Sequence, residues 1–357
     1  MKKTNVFALL LSVLSLLLFL PCAQAASLQD LPGQELWQPY LNAASQSAED
    51  FARDPVSALF ALLTESPVKA ARQWIHRYTD VLLFLLLFTV LSFLVGDAAD
   101  STLLELAAAA GCGTLLWGSM MDLVQQLCEK MSGWRAYLLG FLPVYSGILA
   151  AGGEANAGTS ACGLLLTGLC FLAQCTVLLA GPLLQCYLSI SIACCVSTQK
   201  GLSESCTVLG KLLRKGISLA GRLFAVLLGL QRMVTVQMDR SVLRLGQLLT
   251  GSVPVIGQSL SDAAEVFFAG MQLLKNSLGF AALAVVGAEF LPLYLRLMVH
   301  LLFLTLCGLL CGLAENRRCQ ALFACMAEAV KCMSALTALF FGSFVVGLGL
   351  LMLMGGG

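Results

Sequence analysis

The chain has 357 residues, 59% hydrophobic and only 11% charged, with a net charge of +1 and a mean hydropathy of +0.87. Soluble domains carry about 25% charged residues, so this composition excludes an ordinary water-covered globule, and the lack of a basic patch excludes a nucleic-acid binder. Long leucine-rich runs, in place of alternating strands of about ten residues, exclude a membrane β-barrel. The fold class is all-α: a polytopic helical membrane protein with about seven to nine transmembrane helices and a kinked or re-entrant segment, in contact with the lipid bilayer.

The first residues, MKKTNVFALLLSVLSLLLFLPCAQAAS, place Lys2 and Lys3 before an apolar core and end on Ala23-Gln24-Ala25. That is a signal peptide over residues 1–25. Residues 26–78 form an extracytoplasmic amphipathic segment with turn signals at Pro32-Gly33, Pro55 and Pro67 and interfacial aromatics Trp37, Tyr40, Trp74 and Tyr78. Residues 79–357 form the polytopic membrane domain.

Spans are expected at Leu82–Gly96, Leu103–Met121 and Tyr137–Ala151. The second carries Ala107, Gly111, Thr114 and Gly118, a stripe of small residues that lets helices approach closely. Cys162–Ser197 is long enough for two spans, divided at Gly181-Pro182. The following loop holds Lys200, Lys211, Arg214 and Lys215 against Glu204 alone, a cytoplasmic signature. Ile217–Leu230 is the next span. Phe280–Leu313, with Pro292, reads as a tight helical hairpin, and Ser334–Met354 as the last span. Arg317, Arg318 and Lys331 favour a cytoplasmic loop, which a hairpin before them does not give cleanly.

Reactive groups do not converge. His76 and His300 are the only histidines, and there is no HExxH, GxSxG, P-loop or strand–GxGxxG–helix pattern. The chain therefore reads as no enzyme, with no cofactor, metal or catalytic residue. Most of the fifteen cysteines fall in apolar runs, where they act as small hydrophobes; redox or metal roles are the alternative. Charges within apolar runs are the stronger leads, because each is costly at bilayer depth. They are Glu105, Asp122, Arg222, Glu289 and Arg296. Glu289 is the deepest, a candidate path- or partner-facing carboxylate.

Between the last spans lies TGSVPVIGQSLSDAAEVFFAGMQLLKNSLG, Thr250–Gly279. Gly251, Pro254 and Gly257 mark a kinked entry. A helix then starts near Ser259 or Ser261 and runs to about Asn276. Asp262, Glu265, Gln272 and Asn276 share one stripe of it. This polar stripe suits either the lining of a water-filled path or partner groove, or an interfacial helix with one side in solvent.

The block SVPVIGQSLSDAAEVFFAGMQLLKNSLG, together with LPVYSGILAAGG at Leu142–Gly153, resembles the stage III sporulation protein AE family of endospore-forming bacteria. The likeness covers most of the chain from about residue 79. It implies a component of a channel-like complex that the mother cell builds around the forespore, sited in the mother-cell-derived outer forespore membrane. It also implies partners: other membrane proteins of the same sporulation operon, and a forespore protein across the intermembrane space. A membrane scaffold without its own conduit, or a stand-alone secondary transporter, are the alternatives.

Overall fold

The computed structural model describes residues 79–88, 101–152, 157–197, 208–222, 257–314 and 316–353, with a few isolated positions beside them; over 257–274 it describes the backbone alone. The signal peptide, the segment 26–78, Gly251 and Pro254 lie outside the described residues. Every described element is helical. In chain order these are α1 (Thr79–Phe88), α2 (Ser101–Ala151), α3 (Ala157–Cys175), a π-turn (Thr176–Ala180), α4 (Gly181–Val196), α5 (208–222), α6 (Gly257–Leu313) and α7 (Arg317–Leu353).

Helix α2 corrects the first expectation. The spans expected at Leu103–Met121 and Tyr137–Ala151 lie on one continuous helix of 51 residues, about 77 Å long. The cause is an unbroken inward stripe: Leu116, Met120, Leu123, Leu127, Met131, Trp134, Leu138, Leu142, Tyr145 and Leu149 are all buried. They recur every three or four residues, the spacing of one helix face. The polar residues between positions 121 and 136 fall mostly on the other sides. Pro143 lies within the helix on its exposed side, where the ring and the lost hydrogen bond disturb no packing.

The expected break at Gly181-Pro182 is likewise absent. Residues 158–196 form one helical run in which the π-turn precedes Gly181 and Pro182 occupies the first turn of α4. Buried positions explain the bulge. Cys162, Leu165, Leu169, Ala173 and Thr176 alternate at three- and four-residue steps, as do Leu184, Leu188, Ser191 and Cys195 after Gly181. The step from Thr176 to Gly181 is five. One wide turn absorbs the extra residue and keeps both halves facing inward.

The expected hairpin over Phe280–Leu313 is also a single helix. Pro292 lies inside α6 without ending it, and the helix starts at Gly257, so the expected short helix near 259–276 is its first part. This change resolves the placement of Arg317 and Arg318. With α6 unbroken, its end at Leu313 and the start of α7 at Arg317 come to the same end of the bundle as the end of α4. There Arg318 donates to the Ser197 carbonyl and lies 3.8 Å from Glu105. At the opposite end Gly279 of α6 meets Met352 of α7.

Helix α7 is the central helix: 50% of its apolar window is buried, against 28–33% for the other three long apolar helices. Its small residues allow close approach. A methyl group at Gly347 would overlap Leu165 of α3, itself fully buried, whereas Gly349 faces open space. Gly347→Ala is expected to destabilise the bundle by about 1–3 kcal/mol through overpacking. Gly349→Ala should be neutral or stabilising by up to about 1 kcal/mol. Melting temperatures in detergent check the difference; equal values would contradict the packing. Outside, Leu164, Phe171, Leu178, Leu302 and Leu309 are each 58–68% exposed, an exterior suited to lipid.

Candidate functional site

Midway along the bundle the apolar stripes carry ionic groups. On α2, the sequence Asp122–Arg135 supplies Gln125, Gln126, Glu129, Lys130, Trp134 and Arg135; on α6, Glu289 and Arg296 face the same level. Glu289, singled out by sequence, has a 14% exposed side chain and lies 3.2 Å from Lys130 Nζ. The indole Nε1 of Trp134 donates to the same carboxylate at 3.2 Å. Trp134 is 1% exposed and stacks on Phe340 of α7 with ring centroids 5.2 Å apart. The pair therefore joins three helices.

Arg296 donates to Gln126 Oε1, and its backbone carbonyl is bonded by His300 Nδ1 at 2.8 Å. With a carbonyl as acceptor, Nδ1 must carry the proton. His300 is buried at 1%, in keeping with a structural histidine. On the other side of α2, Arg135 donates to Gln174 of α3. Buried charge is tolerated where it is paired: Lys130 pairs with Glu289, while Arg296 and Arg135 each donate to a neutral amide oxygen.

A second ionic group surrounds Glu328 on α7. It is 8% exposed, accepts from Lys331 at 2.8 Å and lies 3.5 Å from Arg214 of α5. The basic segment expected as a loop is thus partly helical, and it leans on α7. Glu105 pairs with Arg318 as described. Asp122 and Arg222 are exposed.

Of the expected stripe, Asp262, Glu265 and Gln272 lie on α6, beyond the point where its partner α7 runs out; their side chains lie outside the described set, and Gly257, expected in the kinked entry, is the first residue of α6. Asn276 is half-buried. The structure does not bring Glu289 together with Asn276, which lies 13 residues, about 20 Å, along the same helix.

Sequence reading missed Lys130, Trp134, Arg135, Glu328 and Arg214 as members of these groups. The expected spans Leu103–Met121 and Tyr137–Ala151 leave residues 122–136 between them as a connection. The signal that finds them is the apolar stripe running through Leu123, Leu127, Met131 and Trp134. It also missed two thiol groups. Cys325 neighbours Cys195 and Cys206, and Ser191 Oγ is 3.3 Å from Cys206 Sγ. Cys319 neighbours Cys112 and Cys311. The fourteen described cysteines are all free, and no set of three described His, Cys, Asp or Glu side chains could hold a metal ion.

These features define an apolar helical bundle with ionic contacts between its helices, in which four helices among the described residues are long and apolar enough to cross a membrane. The chain belongs to the stage III sporulation protein AE family, whose model matches residues 56–355. No curated protein and no solved structure matches it significantly.

Proposed function

We propose that this protein is a membrane-embedded component of a sporulation-specific complex between mother cell and forespore, a channel- or secretion-like assembly needed for forespore development. The observation that carries the reading is the family match over 56–355. Its seat is the mother-cell-derived outer forespore membrane. Its partners are other membrane proteins of the same operon and a forespore protein across the intermembrane space.

Six passes fit the helices better than the seven to nine read from sequence. After a cleaved signal peptide and an outer segment 26–78, the apolar sequences 82–96 and 217–230 add two passes to the four long helices. Starting outside at residue 78, six passes place both 199–216 and 314–316 in the mother-cell cytoplasm. Lys200, Lys211, Arg214, Lys215, Arg317 and Arg318 then satisfy the positive-inside rule. The same count sends the first turns of α6, which carry Asp262, Glu265 and Gln272, toward the intermembrane space, beyond the end of α7.

Deleting the gene in an endospore former is expected to arrest development after engulfment while vegetative growth stays normal. Complementation with wild type should restore spores, and the D262N/E265Q variant, at normal protein level, should not. Full sporulation of the deletion strain would overturn the proposal; full rescue by the double variant would remove the stripe from it.

A further inference from the structure

Helix α5 has three faces. Gly210, Leu213, Ile217 and Gly221 recur at steps of three and four, the spacing of one side of a helix, and this side packs inward. A methyl at Gly210 would overlap the Tyr187 hydroxyl of α4, and one at Gly221 would touch Leu339 of α7. Val208, Leu212 and Leu219, on the opposite side, are 63%, 63% and 58% exposed. Between the two runs a basic edge: Lys211, Lys215, Ser218 and Arg222 are all exposed and follow at steps of four, three and four.

The charge on this edge is not balanced within the chain. Arg214, where the edge meets the inward side, shares the one carboxylate of Glu328 with Lys331. Lys211, Lys215 and Arg222 form no ion pair among the described residues. Water alone would suit these cations, but not what surrounds them. Helices α6 and α7 run antiparallel, with Gly308 against Phe323 and Gly287 against Phe341, so Glu328 lies near the height of Leu302. That leucine is 63% exposed, as are the leucines on the outward side of α5 itself. Unpaired cations and bare leucine therefore share one height and, on α5, one helix.

We propose that the basic edge of α5 binds the headgroup phosphate of an anionic phospholipid from the cytoplasmic leaflet, whose acyl chains lie along Leu212 and Leu219. It rests on the reading that the chain is embedded in a bilayer with 199–216 on the cytoplasmic side. In that count the pass begins at residue 217, so Lys211 and Lys215 stand at headgroup height. Arg222, about 8 Å deeper, reaches back toward them along its own apolar stem. The two halves of the surface select this ligand together. A zwitterionic lipid brings its phosphate already paired with a cation, and free phosphate would leave the leucines bare. An anionic lipid answers both, as basic pockets beside transmembrane helices do elsewhere.

The test is native mass spectrometry of the full chain in detergent, titrated with phosphatidylglycerol, phosphatidylcholine or inorganic phosphate. Phosphatidylglycerol adducts are expected at several-fold lower concentration than phosphatidylcholine adducts, with no displacement by inorganic phosphate. K211Q/K215Q removes no contact within the described chain and is expected to weaken phosphatidylglycerol binding about 30-fold, at roughly fivefold per lysine. Arg317→Gln removes an exposed cation at the end of the bundle and should leave that binding unchanged. Equal affinity for the two lipids, unaltered binding by K211Q/K215Q, an equal loss in Arg317→Gln, or displacement by phosphate would overturn the proposal. A second probe needs no change of charge: a benzophenone amino acid replacing Leu212 in the native membrane is expected to attach mainly to lipid. Attachment mainly to another protein would replace the lipid by a protein partner and overturn it. Extraction of the chain by carbonate without detergent would sink the bilayer reading itself, a result distinct from any of these.

Discussion

Replacing Trp134 with alanine is expected to cause the largest loss of stability of any single substitution in the bundle, about 3–5 kcal/mol. The indole is 1% exposed, stacks on Phe340, lies 6.4 Å from the Phe290 ring centroid and donates to Glu289. In a bilayer there is little hydrophobic gain from moving a side chain off lipid, so dispersion and the hydrogen bond carry the stabilisation. Both are lost when a cavity opens where α2, α6 and α7 meet. Trp134→Phe keeps most of the contact and should lose only about 1 kcal/mol, the net worth of one hydrogen bond. Thermal denaturation in detergent separates the two variants; a melting temperature for Trp134→Ala equal to wild type would show that the three helices do not meet at this ring.

The second large effect is expected at Lys130, and it is asymmetric. Lys130 is 44% exposed and Glu289 14%. Removing the carboxylate with Glu289→Gln leaves a lysine that reaches water and an amide that still accepts from Trp134, so the loss is small. Lys130→Ala strands the more buried carboxylate and is expected to cost about 1–3 kcal/mol, the range for a buried polar group left unpaired. The double variant K130A/E289Q should recover part of that loss, giving a coupling energy of about 0.5–3 kcal/mol. Denaturation of the four proteins completes the cycle. Equal losses for the two single variants, or strict additivity, would mean that the pair is screened by solvent and structurally idle.

The helical class, the apolar helices and the family were legible from sequence because each rests on local composition or a contiguous motif. Helix continuity was not. Pro182 and Pro292 read as breaks, yet Pro182 sits in the first turn after a bulge, where its ring is tolerated, and Pro292 lies inside α6 without ending it. The charges between Met121 and Ala136 looked like a connecting loop because their partners lie far off. Trp134 and Glu289 are 155 residues apart in sequence, and no local pattern encodes that distance. Glu289 could be suspected from its own surroundings; that Lys130 neutralises it could only be seen once α2 and α6 lay side by side. The misplaced hairpin had the same origin, and correcting it alone carried Arg317 and Arg318 to the end where Ser197 lies.

The π-turn at Thr176–Ala180 has a consequence for chain length. Elsewhere in these helices, deleting one residue would rotate everything beyond it by about 100°, turning buried leucines outward. Between Thr176 and Gly181 the deletion shortens a five-residue step to four, and the three-and-four alternation of buried positions then runs without interruption from Cys162 to Cys195. At this one place the protein can lose an amino acid while every side chain keeps the neighbours it had.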